Sequence, residues 1–144
     1  MKRLALVALF VAACTASPVP TLAGLLSTSV SIDDRQMVVA VADTPEARSR
    51  GLMGLTDLGG VDGMLFLFEA DTESGFWMKD TLIPLDIAFF ADDGTFVDML
   101  TMEPCTTGDC PTYHAGGPYR YAVEAPADEL QFVGADSVLT TLSE

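Results

Sequence analysis

Six or seven short strand-like runs against two short helical signals predict a mainly β protein of the α+β class, a compact antiparallel domain that closes like a small barrel. Three observations carry this expectation. Apolar and β-branched runs of strand length recur from residue 30 onward, Asp92-Asp93-Gly94 supplies a hairpin turn between two of them, and only two stretches have helix-start chemistry. The 144 residues are length for one domain, and a composition 49% hydrophobic and 19% charged provides a packed core and excludes wholesale disorder.

The chain opens on Met1, Lys2 and Arg3, followed by ten apolar residues from Leu4 to Ala13 and then Cys14. A basic start, a short apolar run and small residues make residues 1–13 an export signal. The run is well below the ~18 residues that span a bilayer. Val11-Ala12-Ala13-Cys14 resembles the lipobox of bacterial lipoproteins, which implies acylation of the Cys14 thiol after cleavage just before it. A plain leader cut after Thr21-Leu22-Ala23 is the other reading. Residues 14–29 are rich in Ser, Thr, Pro, Gly and small apolar residues, as expected of a lipidated cysteine followed by a flexible tether, and the folded domain is expected over 30–144. The expected location is the periplasmic side of the cell envelope, held to the membrane through the lipid alone. Thr15 in place of an Asp after Cys14 points to the outer membrane in a double-membraned host, by resemblance to lipoprotein sorting rules.

Within the domain, Val30 to Ile32 and Met37 to Val41 flank a polar Asp33-Asp34-Arg35 turn and read as a hairpin. Thr44 followed by Pro45 and Glu46 provides a cap, a first-turn proline and an acid, so a short helix should run to about Gly51. Met64 to Phe68 is a continuous apolar run, expected as a strand buried on both faces. Leu85 to Phe90 and Thr95 to Met102 form a second hairpin across the Asp-Asp-Gly turn. Arg120 to Glu124 and Val138 to Leu142 complete the strands. Between them Pro126 to Val133, with Asp128, Glu129 and a following Gly134, fits a second short helix.

Charge narrows the function. Seven Lys and Arg against 21 Asp and Glu give −14, and about −16 once Lys2 and Arg3 leave with the leader. Such a surface repels phosphate backbones and argues against nucleic-acid partners.

Four segments occur in order: Arg48-Ser49-Arg50-Gly51-Leu52-Met53, Gly63-Met64-Leu65-Phe66, Phe76-Trp77-Met78-Lys79-Asp80-Thr81 and Ile83-Pro84-Leu85-Asp86-Ile87. Together they resemble the bacterial and archaeal family known as domain of unknown function 192, with its pattern R-x-x-G-L-M, G-M-L-F, F-W-M-K-N-T and I-P-L-D-I. The resemblance continues through Gly94, Pro104-Cys105, Tyr113 and Glu124, about 110 residues by the span of these motifs. It implies a compact β-rich single domain and carries no established activity with it. Leu55 stands where the family usually has Arg, and Asp80 where it usually has Asn. Both changes subtract positive charge and weaken any anion-binding role that the family pattern implies.

Alternation along a strand sends Trp77 and Lys79 to one face, where Trp77 would be the apolar wall of a small pocket and Lys79 the charge that orients a ligand. The structural alternative has Trp77 capping the core and Lys79 paired with Asp80, Asp86 or Glu124. Arg48 and Arg50, two apart on a short helix, should diverge so that at most one joins Lys79, and the family pattern selects Arg48. Arg48, Trp77, Lys79, Asp86 and Glu124 are therefore the expected ligand-binding residues. No nucleophile stands beside a base, so no catalytic residue is assigned.

Cys105 and Cys110 lie five positions apart around Gly108-Asp109, and in an exported chain this spacing predicts a structural disulfide. Zinc would need a fourth ligand beyond these two thiols and His114. Met99, Met102, Cys105, Cys110 and His114 form the one cluster that a soft metal such as Cu(I) would favour, whereas core filling accounts for the remaining methionines. No cofactor and no metal are expected. The sequence thus predicts a monomeric, non-enzymatic envelope module that presents a small pocket to a small ligand or an envelope protein. An enzyme using Lys79 with Asp86 or Glu124, and metal binding at the loop from Cys105 to His114, are the alternatives.

Overall fold

The structure is a computed structural model that describes Leu22 and residues 24–142. The expected signal, the acylated Cys14 and most of the tether fall outside these residues. The first strand, β1 (Ser27–Ile32), begins inside the span expected for the tether and pairs with β2 (Arg35–Ala42) across a two-residue Asp33-Asp34 turn. Asp33 sits at φ 54, a conformation that Asp adopts more readily than most residues. Its carboxylate also accepts from Val138 N at 2.9 Å and Ser137 Oγ at 2.8 Å, which ties the turn to the far end of the chain.

The helix α1 (Pro45–Arg50) starts where the sequence predicts, with the Thr44 hydroxyl accepting from Ala47 N at 3.2 Å, and stops at Gly51 with φ 49. The remaining strands are β3 (Gly63–Thr72), β4 (Phe76–Trp77), β5 (Leu85–Phe90), β6 (Phe96–Met102), β7 (Thr112–Tyr113), β8 (Tyr119–Pro126) and β9 (Leu139–Leu142). Seven of them form one sheet in the order β6-β5-β8-β3-β2-β1-β9, while β4 and β7 make a separate ribbon.

Two expectations are corrected. The sheet is mixed, because β2 and β3 run parallel, and it curls into a half-barrel rather than an antiparallel closed one. Its edges β6 and β9 meet at one end only, through a Thr95–Val138 bridge and the bonds Phe96 N to Ser137 O and Leu139 N to Gly94 O. The second helix is absent among the described residues. Pro126 to Val133 forms successive turns instead, with Glu129 N on Pro126 O and Val133 N on Leu130 O. Asp128 adopts φ 76, a left-handed conformation that interrupts a helix, and the segment is held by the wholly buried Asp86, whose carboxylate accepts from Asp128 N at 2.9 Å and Gln131 Nε2 at 3.2 Å.

Alternation gives the sheet two apolar faces. Met64, Phe66, Leu85, Ile87, Phe89 and Ala122 share one cluster, covered by the crossover from β2 to β3 and by the β4–β7 ribbon. Leu65, Ala88, Phe90, Val123 and Ala125 share the other with Val30, Ile32, Leu130 and Leu139. The run at Met64 is buried on both faces through Phe66, and Leu67 and Phe68 are half-exposed. Asp86 also accepts from Thr101 Oγ1 at 2.7 Å. Asp86→Ala strips acceptors from three donors and should lower unfolding stability by about 3 kcal/mol, measured by urea denaturation.

Candidate functional site

A parallel pair needs a crossover, and the one from β2 to β3 brings α1 and residues 51–62 over the first apolar face. Arg48 fastens it there. Its Nη1 donates to Asp43 O and Leu67 O, both at 2.8 Å, and its guanidinium carbon lies 4.9 Å from the Phe68 ring centre. Opposite this end of the helix stands the β4–β7 ribbon, in which Phe76 pairs with Tyr113 and Trp77 with Thr112. Phe76 turns inward to Phe66 at 4.9 Å and Phe89 at 5.7 Å, the Tyr119 hydroxyl donates to Ser74 O, and Trp77 turns outward. Burial pushes that hydroxyl up to about 12, so it remains a neutral donor. A Cβ on Gly75 would lie 2.3 Å from Thr112 Cγ2 and 2.7 Å from the His114 ring, so a larger residue there would oblige those side chains to move.

Between helix and ribbon opens a cleft of about 450 Å³. Arg48 and Arg50 line one side, Phe66, Phe68, Phe76 and Trp77 supply aromatic wall, and Thr81 and Glu124 are also part of it. Glu124 belongs to β8, a central strand, with Met64 opposite on β3 and Ile87 opposite on β5. Only 4% of it is exposed, and burial among these apolar neighbours pushes its carboxyl up to about 8. The carboxyl makes no hydrogen bond to the described residues, yet none of their sealed side-chain polar atoms lacks a partner, so Glu124 meets the open cleft rather than the packed interior. Gly63 permits this placement: a Cβ there would lie 2.1 Å from the Glu124 carbonyl oxygen.

Of the five expected residues, Arg48, Trp77 and Glu124 line this cleft. Lys79 stands at its rim with Nζ 5.3 Å from the Trp77 ring centre, although the strand ends at Trp77 and Met78 between them is buried. Lys79 is exposed and in no ion pair among the described residues, so the expected alternative of a buried pair is not what positions it. Trp77, 49% exposed, does not cap the core; Phe76 does. Asp86 is not brought to the cleft: it is opposite Ala125 in the β5–β8 register, whereas Glu124 is opposite Ile87, and the two carboxyls leave the sheet on opposite faces. Arg50 lines the cleft together with Arg48, against the expected divergence, because the cleft wraps the end of α1 instead of following one helical face. Phe68 was reachable from the alternation Met64, Phe66, Phe68 along β3; Arg50 and Thr81 had no local signal.

Cys105 and Cys110 form the expected disulfide. Cys105 bridges both Lys79 and Thr81, and Asp80 N donates to Cys105 O at 2.8 Å, so the linked loop braces the segment that follows the ribbon. Asp80 adopts φ 53, a left-handed conformation open to Asn and Asp alike, which accounts for the exchange at this position. Leu55 is buried in the core, where the charge of an Arg would be excluded. Met102 is wholly buried, and both thiols are consumed by the disulfide, which removes three members of the expected soft-metal cluster. No group of three or more His, Cys, Asp and Glu among the described residues is arranged to hold a metal.

Fold and cleft together define a small, single-domain β protein with a crevice beneath a crossover helix. The chain belongs to the family of domain of unknown function 192 (DUF192), described as "Uncharacterized ACR", whose pattern matches residues 28–137. Two crystal structures resemble it, each 26% identical with a TM-score of 0.72. One, from Sinorhizobium meliloti 1021, is provisionally described as a transcription regulator and aligns over 81% of this chain and 95% of its own. The other, a protein of unknown function from Novosphingobium aromaticivorans DSM 12444, aligns over 88% of this chain and 94% of its own. No curated protein matches the chain.

The raised carboxyl sets a pH dependence. Glu124 holds its proton up to about pH 8 when folded and releases it near 4.5 when unfolded, so its contribution to stability is full below 4.5 and is lost as the pH climbs to 8. Glu124→Gln should abolish this component. Thermal midpoints of the two proteins, compared from pH 5 to 8.5, should diverge in favour of the variant as the pH rises.

Proposed function

We propose that this chain is a non-enzymatic binding module of the cell envelope that holds a small ligand in the cleft between α1 and the β4–β7 ribbon. The observation that carries this reading is Glu124, a carboxyl taken out of water on a central strand and met by no donor of the described protein, at the wall of an aromatic cleft. Such a group costs stability in the empty fold, and a ligand that bonds to it offsets that cost. The volume is that of small-molecule sites, which combine apolar walls with a few convergent polar groups.

The enzyme reading needs a second titratable group beside Glu124, and Asp86 faces the other side of the sheet. The metal reading needs the thiols that the disulfide occupies. The disulfide supports export to an oxidising compartment and, with the leader, a lipid-anchored position at Cys14. The regulator description of the Sinorhizobium meliloti relative is not carried over, since 21 acids against 7 bases oppose a phosphate backbone.

Trp77 is the sole tryptophan and lies on the cleft, so its emission reports occupancy directly. A small-molecule screen should find compounds that shift this emission and raise the thermal midpoint, with affinity reduced about tenfold by Glu124→Ala, the loss of one buried contact. A screen in which no compound moves either signal would sink the binding reading. Lys79→Ala should leave stability within about 0.5 kcal/mol in thermal denaturation, since its side chain is exposed.

A further inference from the structure

Where the chain keeps its positive charge is the unexplained feature. The described residues contain five cations: Arg35, Arg48, Arg50, Lys79 and Arg120. Arg35 pairs with Glu129 at 3.1 Å, and Arg120 pairs with both Asp71 and Asp92 at 3.0 Å. The other three have no ion-pair partner among the described residues, in a chain with 21 acids to 7 bases. Two of them, Arg48 and Arg50, line the cleft, and the third, Lys79, lies beside one of its walls with its ammonium over Trp77.

We propose that the cleft takes a carboxylate carried on an apolar body, with the charge held by Arg48, Arg50 and Lys79 and the body laid against Phe66, Phe68, Phe76 and Trp77. This rests on the cleft being a binding site. Arg48 uses Nη1 for its two carbonyl bonds, which leaves Nη2 and Nε as donors, and Arg50 makes no side-chain hydrogen bond among the described residues. Glu124 is the one carboxyl lining the cleft among the described residues. Its proton, kept up to about pH 8 by burial, removes the charge that would repel an anion at neutral pH and supplies an O–H donor to it. The remaining acids act across solvent, where screening at physiological salt over about 8 Å confines their repulsion. An ammonium ligand, by contrast, would meet three like charges and a neutral carboxyl.

The test uses three probes of one shape at pH 7: 3-phenylpropionate, its amide 3-phenylpropanamide, and 3-phenylpropylamine, titrated by calorimetry and by Trp77 emission. The acid should bind at least tenfold more tightly than the amide, and the amine more weakly than both. Arg50→Gln and Lys79→Gln, at exposed residues, should each reduce the preference for acid over amide severalfold. Equal binding of acid and amide, tightest binding of the amine, or an unchanged preference in both variants overturns the carboxylate assignment and leaves the cleft a binding site. If none of the three releases heat or alters the emission, the carboxylate assignment falls, and the wider screen alone decides whether the cleft binds a ligand.

Discussion

Parallel pairing of β2 with β3 is the constraint on which the rest of the structure depends. Two antiparallel strands can be joined by two residues, as Asp33-Asp34 joins β1 to β2, but parallel strands oblige the chain to return along its whole length before pairing. The return covers an apolar face that would otherwise be open to water, and it sets the end of α1, with its two arginines, across from the aromatic ribbon. The cleft is the space left where a six-residue helix is too short to cover that face completely.

Opposing demands meet at the floor of that space. The ladder wants continuous apolar side chains where β8 runs between β3 and β5, and Met64, Ile87, Ala122 and Val123 comply. Glu124 does not, and the fold accommodates it by backbone proximity: Gly63 lets β3 come close to the Glu124 carbonyl, while Tyr119, neutral and bonded to Ser74, fixes the segment that carries Trp77. A rigid aromatic cluster therefore supports a polar group left to face the cleft. Local departures from the best packing rule of this kind concentrate at functional positions.

The hairpins and α1 were legible because their information is local: a polar turn between β-branched runs, a capping Thr with a first-turn Pro, a terminal Gly. Pro126 to Val133 carries the same local signs and is not a helix: Asp128 turns to φ 76, with its backbone N–H on Asp86, some forty residues earlier in the chain. The two-residue strands β4 and β7 are too short to show a period, and the direction of β3 relative to β2 is not a property of either segment. At the site, motif order points to Arg48, Trp77, Lys79 and Glu124; Arg48, Trp77 and Glu124 line one cleft, and Lys79 lies beside Trp77. Asp86 carries the same motif signal and lies elsewhere, because which face a carboxyl leaves from depends on the β5–β8 register, which sequence spacing does not contain. The spacing that separates Arg48 from Arg50 on a helical face does not separate them at a helix end, where both line the cleft.

The contact between β6 and β9 has a consequence for how molecules of this protein meet one another. An open seven-stranded sheet offers two rows of unpaired backbone groups, each a template on which a strand of another chain can grow. Here the curl turns the two rows toward each other, and a Cβ on Gly94 would lie 2.2 Å from the Leu139 carbonyl, so the seam at that end is drawn too tight to admit a foreign strand. Backbone groups that a foreign strand would need are thereby already paired at this end of the seam, through Phe96 N on Ser137 O and Leu139 N on Gly94 O.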